Sequence, residues 1–227
     1  MGIISLEKVD SLYWLGRYSE RVFTTLKVFY EYYDQMLDED EDAYVKFCVR
    51  LGLPDVYGSK ENFLQDYLYD SANPDSVCTS ISRAYGNAIT LREEIGTNSL
   101  GYIQMCMNSW QVSKTEDEKY LSHQKMMDNL YAFWGCIDDE VEDENHRNII
   151  KVGRYVERLD LCMRLKMEHR LIIKAYRKLK DRVKRLGTGY YDDEKLYRLE
   201  HILANESDWA EQAGEALLCL NSLFEVH

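Results

Sequence analysis

Proline is almost missing from this chain: Pro54 and Pro74 are the only two in 227 residues. Long helices therefore meet few forced stops or kinks. Also missing is any convincing period-two alternation of apolar and polar residues, the mark of a half-buried strand. The six cysteines (Cys48, Cys78, Cys106, Cys136, Cys162, Cys219) form no CxxC pair, which speaks against a structural zinc site. Most lie among apolar residues and read as small buried thiols in a reducing compartment, Cys162 included. The five histidines are dispersed, and the Glu-x-x-His pair of a di-iron bundle does not occur. Asp143-x-x-His146 comes nearest. With Glu142 beside it, that stretch reads as a helix-start cap cluster rather than a metal site. Gly187-Thr188-Gly189 follows no strand, so it reads as a helix stop and not as a phosphate loop.

Long apolar runs are absent too. No stretch approaches membrane-spanning length, and no basic segment followed by an apolar run opens the chain. Met1-Gly2 resembles an acylation start, but Leu6 holds the position where Ser or Thr belongs. The formal charge of −12 repels phosphates on average, which argues against nucleic acid or an anionic membrane as partner. The expectation is a cytoplasmic protein with no metal and no cofactor. The charge is unevenly spread. Asp38–Asp42 and Asp138–Glu144 are acidic blocks, while Lys174–Arg185 is strongly basic. The basic stretch reads as a solvated helix end that suits the helix dipole and faces the acidic blocks. A partner site on it is the alternative.

What the chain does have is helical periodicity over most of its length. Apolar residues recur at three- and four-residue steps over about 3–37, with Val9, Leu12, Leu15, Val22, Leu26, Phe29, Tyr33 and Leu37 on one stripe. The acidic run to Asp42 is expected to be a turn opening a helix over about 43–51, which Gly52-Leu53-Pro54 ends. Ser59 caps a helix over about 60–70. Asn73-Pro74 predicts a cap and first turn for a helix over about 74–95, closed by Gly96. Further helices are expected over about 98–112, 120–137 (opened by a capping box at Thr115–Glu118), 145–186, 193–204 and 206–225. The 145–186 element would be about 60 Å long at 1.5 Å per residue. The fold class is all-α: a single helical bundle over residues 1–227 with antiparallel neighbours.

One phrase occurs twice. Gly16-Arg17-Tyr18-Ser19-Glu20-Arg21 returns as Gly153-Arg154-Tyr155-Val156-Glu157-Arg158, on the two longest predicted helices. Arg, Glu and Arg at i, i+3 and i+4 share one helical face, with the glutamate at the edge of the apolar stripe. A glycine inside a helix costs roughly 1 kcal/mol against alanine, so having it in both copies implies close approach by another chain segment. Two arrangements fit. The two turns pack about a pseudo-twofold axis as a partly buried Arg–Glu network. Alternatively, the four arginines converge on a pocket and hold a phosphate, a carboxylate or a peptide C-terminus, with the glutamates as orienting or acid–base groups.

These motifs carry a resemblance. Ile4-Ser5-Leu6 and Val9-Asp10-Ser11-Leu12-Tyr13-Trp14-Leu15, running into the first Gly-Arg-x-x-Glu-Arg, are similar to the opening of the bacterial alpha-E family. Asn73–Val77, Ser80, Arg83-Ala84, Asn87-Ala88 and Leu91-Arg92-Glu93 resemble its middle motif, and the second Gly-Arg-x-x-Glu-Arg its late one. The resemblance spans residue 4 to about 170. It implies an all-helical protein that accompanies ATP-grasp peptide ligases and transglutaminase-like proteins in making or modifying peptides, with such a ligase or a peptide as partner. The candidate binding residues are Arg17, Glu20, Arg21, Arg154, Glu157 and Arg158, joined by Arg83, Asn87 and Arg92 of the middle motif. A helical enzyme using the paired glutamates and arginines on an anionic substrate is the alternative, and a purely structural scaffold is a third possibility.

Overall fold

The computed structural model describes residues 5–38, 40, 42–54, 56–115, 119–186 and 189–224, without the side chains of residues 37 and 38. Glu39 and Glu41 of the first acidic run, Glu116–Glu118 of the expected capping box, Met1-Gly2 and Gly187-Thr188 lie outside the described residues. Among the described residues there are ten α-helices, one 3-10 turn and no strand. The helices are α1 (Leu6–Asp38), α2 (Ala43–Leu51), α3 (Lys60–Asp66), α4 (Val77–Thr90), α5 (Arg92–Ser113), α6 (Lys119–Glu140), α7 (Glu144–Arg164), α8 (His169–Val183), α9 (Asp193–Ala204) and α10 (Ala213–Asn221). The 3-10 turn, Tyr67–Tyr69, follows α3.

The pair α1 and α7 is the spine of the fold. On one side, α1 packs with α2 to α6 around an aromatic nucleus. There Phe29, Phe47, Phe63 and Tyr67 lie with ring centroids 5.0 to 6.3 Å apart, in the range where aromatic pairs attract. On the other side, α7 packs with α8, α9 and α10 through Val156, Leu159, Ile172, Leu179, Leu199 and Leu220, all buried. Ile150 and Leu161 of α7, with Leu165 at its C-cap, belong to the first cluster, while Val152, Val156 and Leu159 belong to the second. One helix thus serves two cores with two faces.

The single helix expected over 145–186 is two. It ends at Leu165 and restarts as α8 after Glu168. Lys166 takes a left-handed conformation with φ 50°. Its amide donates to the Met163 carbonyl, and the Met167 amide donates to that of Cys162. This is a Schellman closure with lysine where glycine is customary, so the usual sequence signal is absent. Arg50 adds a donor to the Leu165 carbonyl at 3.3 Å.

The Asn73-Pro74 prediction also shifts. Asn73 makes a turn, its side-chain oxygen accepting from the Asp75 amide at 2.9 Å. The N-cap is Ser76, whose Oγ accepts from the Thr79 amide at 3.1 Å. The helix expected to run to 95 is interrupted at Leu91, with α4 ending at Thr90, and at Gly96 (φ 78°, ψ 164°) the backbone leaves the helical region within α5, the break expected there. The last helix is shorter than the expected 206–225, because residues before Ala213 form turns that lead into α10.

Two cap readings hold. Ser59 accepts from the Asn62 amide and caps α3. Asp143 accepts from the Asn145 and His146 amides and caps α7, which is the cap cluster read from the sequence. No group of three or more His, Cys, Asp or Glu suited to a metal ion occurs among the described residues. Arg185 meets Glu144 of the second acidic block at 3.6 Å, and Lys180 pairs with Glu200. No described helix is long and apolar enough to cross a membrane.

Candidate functional site

The two repeated turns meet face to face at the crossing of α1 and α7. A methyl group on Gly16 would overlap the Ile150 carbonyl oxygen and stand 2.9 Å from the Arg154 amide nitrogen. A methyl group on Gly153 would overlap the Tyr13 carbonyl oxygen and stand 3.3 Å from the Arg17 amide nitrogen. Each glycine thus lies against the carbonyl three residues before the other glycine. This reciprocity is what a pseudo-twofold axis through the crossing produces.

The side chains follow the same symmetry, and each glutamate is served by the opposite helix. Glu157 accepts from Arg17 Nε at 2.7 Å and from Arg21 Nε. Glu20 accepts from Arg154 Nε at 3.0 Å and from Arg158 Nε and Nη2 at 2.6 and 2.8 Å. Thr24 Oγ1 donates to Glu20 at 2.9 Å. Both glutamates are fully buried, at 0% and 1% exposure. Burial alone would push the Glu157 carboxyl up. The Arg21 and Arg17 guanidiniums outweigh it and hold the group below the usual carboxylate range. On the arginine side, burial lowers Arg154. It also opposes the charged forms of Arg17, Arg21 and Arg158, which their glutamates nevertheless hold above the ordinary arginine value.

Aromatic faces complete the setting. The Arg154 guanidinium carbon stands 3.4 Å from the Trp134 ring centroid, and that of Arg17 5.0 Å from Trp14. Tyr18 and Tyr155, equivalent in the two copies, lie 5.9 and 5.7 Å from Arg21 and Arg158.

The structure therefore brings together all six residues of the two turns. Of the three middle-motif candidates, Arg83 reaches the rim through the Tyr18 ring, 5.6 Å away. Together with Asn87, Trp14 and Tyr18 it lines a shallow hollow on α1 and α4. Arg92 is exposed at the start of α5 and joins the network by no hydrogen bond or ion pair among the described residues. Cys162, one turn beyond Arg158, is buried, and burial pushes its thiol up to about 11, consistent with a core residue.

Two concave features involve residues that sequence reasoning missed. A recess of about 390 Å³ opens beside Glu157 and is lined by Arg17, Arg21, Asp75, Asp160, Arg164 and Tyr67 among others; Glu20 is not in its wall. A wider cleft of about 870 Å³ runs between α1 and α6 past Tyr30, Tyr69 and His123. There, Tyr69 is 3.0 Å from Ser113 Oγ, whose own proton goes to the Trp110 carbonyl, so Tyr69 donates to Ser113 and accepts from His123 Nε2. Tyr30 then donates to His123 Nδ1 at 2.6 Å, which fixes the neutral tautomer.

One signal for the recess was available in the sequence. With the two copies aligned on their glycines, Phe23 of the first corresponds to Asp160 of the second. Phe23 packs against Tyr131 and Trp134 at 4.8 and 5.1 Å and fills its side of the crossing. Asp160 leaves the other side hollow and polar.

A family model describing a predicted alpha-helical domain with a conserved ER motif, named Alpha-E, matches residues 8–204. No curated protein and no solved structure matches the chain. Glu-Arg dipeptides stand at 20–21 and 157–158, at the centre of the crossing just described. From its helical architecture, its paired Glu-Arg turns and a match over most of its length, the chain belongs to the Alpha-E family.

Proposed function

We propose that this chain is a non-catalytic accessory module that holds a peptide, or an ATP-grasp-type peptide ligase, for modification in the company of transglutaminase-like proteins. The observation that supports this reading is that both glutamates are buried and tied to arginines of the opposite copy. A general acid or base needs a pKa near the working pH, and the arginines hold Glu157 below the usual carboxylate range. Glu20 and Glu157 are buried, and each is bonded to two arginines of the other copy. The turns serve as a lock that fixes the frame on which binding surfaces are carried. Burying ions costs several kcal/mol each, which their mutual attraction offsets only in good geometry. The gain is in register: sliding α7 along α1 by one residue strands all six charges.

Co-purification with an ATP-grasp ligase from the same organism tests the role. The expected result is a stable complex, with Glu20→Gln and Glu157→Gln lowering thermal stability while leaving ligase activity in the complex unchanged below the unfolding temperature. Turnover of a peptide substrate by the chain alone, abolished in a still-folded Glu157→Gln variant, would overturn it.

A further inference from the structure

The recess beside Glu157 has features that the lock does not need. Tyr67 is completely buried, yet its hydroxyl has no hydrogen-bond partner. It lines the recess, and Asp75 and Arg21 are among its electrostatic neighbours. An orphaned buried hydroxyl is costly, and phenylalanine would serve the aromatic nucleus without it. Arg164 bonds Asp160 through Nε at 2.6 Å, and its two terminal amino groups carry no bond among the described residues. Asp75 accepts from Arg21 at 2.6 Å through one oxygen, leaving the other open at the rim. Asp160 is held in place from the far side by Asn221 at 2.9 Å.

The wall is charge-balanced: Arg17, Arg21 and Arg164 face Glu157, Asp160 and Asp75. A lone anion entering it meets carboxylates as well as guanidiniums. A ligand bearing both charges keeps the balance. At about 390 Å³ the recess is at the small end of ligand pockets.

We infer that this recess binds a zwitterionic ligand of free amino acid or dipeptide size, with its carboxylate accepting from Arg164 and the Tyr67 hydroxyl and its ammonium donating to Asp75. The site is independent of whichever enzyme the module accompanies, so its failure and a failure to co-purify with a ligase are separate results.

Isothermal titration with L-alanyl-L-alanine, its N-acetyl form, its C-terminal amide and inorganic phosphate tests the site on the full chain. The free dipeptide is expected to bind at concentrations below about 10 mM, and each capped form roughly tenfold or more weaker. Tyr67→Phe and Arg164→Gln should each weaken the dipeptide by roughly tenfold. Asp75→Asn should weaken the dipeptide but not its N-acetyl form. Tyr67→Phe loses only an orphaned hydroxyl, so it keeps or raises thermal stability and cannot fail through misfolding. No binding of the dipeptide to the folded protein, equal binding of capped and free forms, phosphate binding more tightly than dipeptide, or affinity untouched by Tyr67→Phe and Arg164→Gln would each overturn the inference.

Discussion

Glu157 and Glu20 each bond two arginines on the other helix, so neutralising either strands two buried cations. Glu157→Gln or Glu20→Gln is expected to destabilise the protein by about 3 to 5 kcal/mol in urea unfolding, the range for breaking one partner of a buried ion pair. The sequence made this residue set legible. Two glycines inside helical pattern, each followed by Arg-x-x-Glu-Arg, pointed to a close crossing with charge at its edge, and the crossing is there. Spacing alone left the pairing open, because Arg17 and Glu20 at i, i+3 are natural partners on their own helix. Only the approach of α7 decides that Glu20 bonds Arg154 and Arg158. Nor were Tyr67, Asp75 and Arg164 legible as one group. They come from three separate elements, and nothing in their local sequence relates them.

At the scale of the element, backbone contact is the constraint. α1 and α7 touch through their glycines, with a carbonyl of one helix against the bare α-carbon of the other. Gly16→Ala and Gly153→Ala each force the helices apart against backbone, which no rotamer change relieves. Each is expected to cost at least about 3 kcal/mol, at the upper end for overpacking, as read from the denaturant midpoint. The opposite sign is expected at the end of α7. Lys166 sits exposed in the left-handed region, so Lys166→Gly is predicted to stabilise by about 1 kcal/mol. The same residue explains why the helix break was illegible. Apolar periodicity runs through 145–186 with no glycine or proline after Gly153, and tertiary packing imposes the turn. Ser76 in place of Asn73 as the α4 cap is a smaller instance: two good capping residues stand three apart, and only the fold chooses between them.

For the whole molecule, two buried titratable groups set the response to acid. Burial lowers His123 from its ordinary 6.5 to about 4, so the unfolded chain binds its proton first. Stability should fall as pH drops from 6.5 towards 4, by on the order of 3 kcal/mol. His123→Gln should flatten that limb. Glu157 acts lower. Its folded pKa lies below the ordinary 4.5, so its contribution is complete above that pH and is lost as pH falls through the depressed value. Thermal melts from pH 7 to pH 3 check both. The helical class and the order of most helices were readable because period and caps are local signals. The partition into two cores on either side of α1 and α7 was not, because it depends on α7 offering two faces to two groups of helices.

The two turns are bonded across the crossing and not each within its own helix. Double-mutant cycles in urea unfolding read that directly. The cross pairs Arg17/Glu157 and Arg158/Glu20 are predicted to couple by about 2 kcal/mol or more, and the same-helix pairs Arg17/Glu20 and Arg154/Glu157 by less than about 0.5 kcal/mol. Equal coupling in both sets, or stronger coupling within each helix, would contradict the lock.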